Sequence, residues 1–70
     1  MNNLQQRVQT ALMDDPRTKE AVIEVLNENG VITLRGIVSS PKISEAAESI
    51  AKDVSGVVTV VDEIQVMKYN

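Results

Sequence analysis

The chain has 70 residues, 43% hydrophobic and 24% charged, with 7 Lys plus Arg against 10 Asp plus Glu for a net charge of −3. This is material for one small domain, residues 1–70, and leaves nothing for a second core. It contains no Cys and no His, which excludes disulfides, thiolate metal sites, cysteine nucleophiles, and the commonest general base and metal ligand. Neither an enzyme nor a cofactor or metal site is expected.

The cations are scattered, at Arg7, Arg17, Lys19, Arg35, Lys42, Lys52 and Lys68, and Tyr69 is the sole aromatic. Nucleic-acid binders gather their basic residues on one face and commonly add rings that stack on bases, so no nucleic-acid partner is expected. No run of Lys/Arg marks attraction to an anionic bilayer by charge alone. Apolar stretches fall far short of the ~20 residues that span a membrane. Met1-Asn2-Asn3-Leu4-Gln5-Gln6 has neither the basic start nor the apolar core of a signal peptide. The expected setting is therefore cytoplasmic, or that of a module excised from a longer protein whose targeting segment lies elsewhere.

Leu4, Val8, Ala11 and Leu12 recur at helical spacing, with Asn2 or Asn3 as N-cap and Asp14-Asp15-Pro16 as the stop; a helix is predicted over about residues 3–14. From Ala21 the period changes to two. Ala21, Ile23 and Val25 share one side and Val22, Glu24 and Leu26 the other. Asn27-Glu28-Asn29-Gly30 reverses the chain, the last two suiting the positive φ angles of a tight hairpin. The return strand, Val31 to Val38, sets Ile32, Leu34, Gly36 and Val38 against Val31, Thr33, Arg35 and Ile37. Ser39-Ser40-Pro41 opens a second helix whose stripe is Ile43, Ala46, Ala47, Ile50, Ala51 and Val54. Gly56 is expected at its C′ position, with Val57 packing back on the last turn. A final strand runs from Val57 to about Met67, with Val60, Asp62, Ile64 and Val66 opposite Val61, Glu63, Gln65 and Met67.

Two helices with one apolar stripe each, and a three-stranded sheet, fit together as a two-layer α+β sandwich of order α-β-β-α-β. A right-handed crossover returns the second helix over the face already covered by the first. The sheet is expected to be mixed, its last strand parallel to the second.

The ordered series Ile23-x-Val25, Asn29-Gly30-Val31-Ile32-Thr33-Leu34-x-Gly36-x-Val38, Ala46, Ile50-Ala51, Val54, Gly56-Val57, Val60 and Asp62-x-Ile64-x-Val66 resembles the BON domain, named for bacterial osmotic-shock and nodulation proteins. The resemblance covers nearly the whole chain. It implies the same sandwich, and either association with phospholipid membranes or attachment within larger envelope proteins, often in the periplasm. On that reading Arg17, Lys19 and Lys42, at loop ends, are the candidate headgroup contacts.

The residues themselves point elsewhere as well. With both helices on one face, the reverse of the sheet carries Val22, Leu26, Val31, Arg35, Ile37, Val61 and Met67 as a candidate contact surface. Its apolar members, mixed with Glu24, Thr33, Glu63 and Gln65, are numerous enough to form a contiguous patch for lipid, a sister copy in a weak homo-oligomer, or a protein partner. Gly30, Gly36 and Gly56 read as structural glycines: turn, strand packing under the second helix, and helix cap. No phosphate-binding glycine loop occurs. Asp62 and Glu63 point to opposite faces and cannot converge on a substrate. Asp62 falls on the helix side, where an unpaired carboxylate is costly, so it is expected at the sheet edge or capping backbone N–H groups.

Overall fold

The helix predicted from residue 3 is α1, Leu4–Asp14. Asn3 caps it, its side chain accepting from Gln6 N–H at 2.7 Å. In the turn after Pro16, Thr18 is buried and donates its hydroxyl to the Leu12 carbonyl at 2.6 Å. This satisfies one of the carbonyls that every helix end leaves without a partner. The structure, a computed structural model, describes residues 3–67. Asn2, Lys68 and Tyr69, which the sequence singled out, lie outside them.

Strands β1 (Ile23–Glu28) and β2 (Val31–Val38) form the hairpin. Asn29 and Gly30 have φ angles of 55° and 88°, the paired left-handed conformations that let a two-residue turn match the twist of the strands. Helix α2 (Pro41–Lys52) starts at Pro41 with Ser40 as N-cap, although the Ser40 side chain makes no capping bond. Strand β3 (Thr59–Val66) closes the sheet. The strand order is β1-β2-β3, antiparallel and then parallel, so the expected α-β-β-α-β sandwich with a mixed sheet is the observed fold.

Both helices press on one face. Val8 and Leu12 from α1, Ile23 and Val25 from β1, Ile32 and Leu34 from β2, and Ala46, Ala47, Ile50 and Ala51 from α2 form a single core. Ala47 and Ala51 are fully buried; their short side chains bring the α2 backbone close to the sheet.

Two details differ from expectation, and a third gains a cause. Helix α2 ends at Lys52 with Asp53 as C-cap, so Gly56 is not its C′ residue. It lies in the next turn with φ of 101°, where Val57 N–H donates to Val54 O at 3.2 Å. The last strand begins at Thr59 instead of Val57. The contact that requires glycine at position 36 is with the backbone leading into β1, since a Cβ there would stand 2.6 Å from the Val22 carbonyl oxygen.

Candidate functional site

The face of the sheet away from the helices is open. Ile37 is 59% exposed and Val61 40%, and Met67 and Val22 stand out at 53% and 87%; Leu26 and Val31 are half-buried. All the surface residues expected on this face are therefore there, but the register divides them. Glu24 pairs with Arg35, and Arg35 with Glu63, so an acid–base–acid row crosses the sheet at its middle. The Arg35 Nε donates to Glu63 Oε1 at 2.8 Å, and Glu63 holds the guanidinium pKa above its ordinary value. The contiguous apolar patch that these residues could form is thus two patches with a charged bar between them.

One patch is at the hairpin end. Leu26, Thr33 and Val61 form the next row, followed by Glu28, Val31 and Thr59. A shallow groove of about 340 Å³ lies over Leu26, Asn27, Glu28, Val31, Thr33 and Arg35. The other patch is the strand-end tip, where Val22, one step before Ile23, stands across from Ile37. A larger groove of about 700 Å³ there is walled by Arg17, Lys19, Glu20, Ile37 and Ile43. Lys19 also borders a second groove, with Val22 and Met13.

The three candidate headgroup contacts fare differently. Arg17 is committed to Asp15: Nε and the backbone N–H reach Oδ1 at 3.0 and 2.9 Å, and Nη2 reaches Oδ2 at 2.9 Å. That fork holds the Asp15 carboxyl at a pKa of about 2 and raises that of Arg17. Lys19 and Lys42 are exposed and in no ion pair among the described residues. Lys42 does not line the groove, although its neighbour Ile43 does.

Asp62 sits as its register suggested. Met67 N–H donates to Val38 O, so odd residues of β3 face β2, and even ones face the open edge of the sheet. Asp62 Oδ1 accepts the edge-facing Ile64 N–H at 2.9 Å, and its Oδ2 accepts the Ser44 hydroxyl at 2.8 Å. An inward carboxylate that occupies an edge donor discourages strand addition from another chain. Among the described residues no group of three or more His, Cys, Asp or Glu is placed to hold a metal ion, and no helix is long and apolar enough to cross a membrane.

Two helices backing a three-stranded mixed sheet with an open reverse face define a small α+β sandwich module. The chain belongs to the BON domain family, whose profile matches residues 2–68. It is also similar to osmotically-inducible protein Y of Escherichia coli (strain K12), at 38% identity over 60 residues. The match covers 86% of this chain but 30% of that relative, so the chain spans less than a third of the relative's length.

Proposed function

We propose that this BON domain is a non-catalytic module whose strand-end tip rests on an anionic phospholipid surface. The observation that carries the reading is that Lys19 lines one groove with the strongly exposed Ile37 and another with the strongly exposed Val22, while Lys42, exposed on the first turn of α2, is the chain neighbour of Ile43, which walls the groove of Ile37. Apolar side chains flanked by unpaired cations suit the boundary between headgroups and acyl chains. A lysine near an anionic leaflet contributes about 1 kcal/mol, so two supply roughly 2 kcal/mol. Partial burial of Val22 and Ile37 adds a similar amount. The sum corresponds to about millimolar affinity, and the net charge of −3 works against it. One copy binds weakly; several copies, or a second contact in a longer chain, would be needed for stable attachment. The name of the Escherichia coli relative suggests osmotic stress as the occasion.

Co-sedimentation with phosphatidylglycerol vesicles tests this. At low ionic strength a bound fraction is expected, falling steeply with added salt as the charges are screened. Ile37→Glu and Lys19→Glu should each reduce it, and neutral phosphatidylcholine vesicles should retain less. A chain that stays in the supernatant at low salt, or an Ile37→Glu variant that sediments like the parent, overturns the reading.

A further inference from the structure

We infer that the hairpin half of the outer face takes a different occupant: a cationic, apolar segment of a partner protein. The floor is apolar, formed by Leu26, Val31 and Val61 around Thr33, with the shallow groove above it. Its charged rim is acidic. Glu24 and Glu28 flank Leu26 along β1, both exposed and in no ion pair among the described residues. Arg35, the one cation of the face among the described residues, is already held by Glu63. A segment that seats apolar side chains on the floor and brings Lys or Arg to the two glutamates matches both features.

The same charges argue against the other occupants. A phosphate-bearing lipid surface would meet Glu24 and Glu28 first. A second copy stacked face to face through a two-fold axis meets its own charges. Centred on Arg35, such an axis sets Arg35 against Arg35. Centred on Thr33 it sets Glu24 against either Glu28 or Glu63 of the other copy, depending on its direction in the sheet plane. Like charges in contact across an interface are a strong penalty, so the Glu24–Arg35–Glu63 row selects against self-pairing. This surface is separate from the lipid-facing tip, and the two proposals fail or survive independently.

The test is an NMR titration of the 15N-labelled chain with an amphipathic Leu/Lys peptide, with a Leu/Glu peptide of the same pattern as control. Amide shifts should cluster at Leu26, Val31, Thr33 and Val61 with the Leu/Lys peptide alone. Glu24→Gln combined with Glu28→Gln should weaken binding roughly 2- to 30-fold, as expected for the loss of two exposed ion pairs. Val61→Arg, which adds a cation to the floor, should abolish it, while both variants keep the parent's urea midpoint. Shifts mapping instead to the acidic side of α2 around Glu45 and Glu48, equal binding of the Leu/Glu peptide, or unchanged affinity in the double variant would each overturn the inference. So would concentration-dependent shifts at Leu26, Thr33 and Val61 without any peptide, since those would show a second copy on this face.

Discussion

Leu34 and Arg35 are neighbours on β2 in opposite environments. Leu34 is fully buried between β1, β3 and the helices; Arg35 stands in solvent, held sideways by Glu63. The same alternation runs along the whole strand, with Ile32 at 0% exposure and Ile37 at 59%. One period-two pattern thus divides the sheet's work. The inner side chains supply the burial that stabilises a domain of this size, and the outer ones are left free to meet something else. The outer face is itself graded: at the strand-end tip Val22 and Ile37 have Lys19, Glu20 and the Arg17–Asp15 pair around them, and at the hairpin end Leu26, Val31 and Val61 have Glu24 and Glu28, unpaired among the described residues. A single β layer presents two chemically distinct surfaces because the charged row lies across it.

The sharpest way to break the comparison is to truncate one isobutyl or sec-butyl group on each side. Leu34→Ala should cost about 2–5 kcal/mol, the range for a buried leucine whose cavity cannot collapse. Domains of this length have roughly 4–10 kcal/mol in total, so the variant should sit near the edge of unfolding in a urea titration. Ile37→Ala should move the midpoint by no more than about 0.5 kcal/mol while reducing vesicle retention. Equal costs at the two positions would mean that the outer face is covered after all. Next in size is Gly36→Val. The obstacle is the Val22 carbonyl 2.6 Å from where the Cβ would lie, a backbone atom that moves only if the start of β1 moves. Overpacking of this kind costs about 1–3 kcal/mol, and it should also displace the neighbouring tip. Loss of vesicle binding alongside the fall in stability distinguishes it from Leu34→Ala, which leaves the tip's backbone alone.

How much of this could be read from the residues depends on how far apart in sequence the partners lie. The inner and outer sets of each strand followed from alternation, and both helices from their stripes. The two-residue turn at Asn29-Gly30 fixes the β1–β2 register, so Glu24 opposite Arg35 could have been counted from the turn outward. Glu63 opposite Arg35 could not. That register is set across the crossover by how α2 packs, and no local signal encodes it; hence a sequence compatible with an unbroken patch and a structure with a divided one. The commitment of Arg17 to Asp15 had a local trace, because an Asp two residues before a backbone N–H commonly caps it. Thr18 and Gly36 had none: a buried hydroxyl reaching back six residues, and a glycine forced by the carbonyl of a neighbouring strand, are visible only once the chain is folded.

Asp62 tests the division at the margin of the inner face. Replacing it with Ala orphans the Ile64 N–H and the Ser44 hydroxyl together. Since the site is partly open to water, the loss should be about 1 kcal/mol. Asp62→Asn, whose remaining oxygen can still accept the Ile64 N–H while its amide N–H donates to the Ser44 hydroxyl oxygen, should cost less. The more specific consequence is associative. An edge N–H freed on β3 is a donor for strand addition, so sedimentation of Asp62→Ala should reveal concentration-dependent oligomers that the parent lacks. A strictly monomeric Asp62→Ala would mean that the carboxylate has only a local structural role.

The smallest effect expected belongs to the tip and is read through pH. Asp15 has its carboxyl lowered from 3.8 to about 2 by the Arg17 fork. A group whose folded pKa lies below its unfolded value contributes stability that is fully present above the unfolded pKa. That contribution is lost as pH falls through the folded one. The window is therefore from about pH 4 down to about pH 2. The pair is at the surface, where such bridges contribute little and salt screens them. The thermal midpoint of the parent should consequently fall slightly more steeply across that window than that of Asp15→Asn, with the difference shrinking as salt is added. Asp15→Asn also releases the Arg17 guanidinium at neutral pH, adding a free cation beside Lys19. Its vesicle binding should rise while its stability falls, a divergence that only a tip working separately from the core would produce.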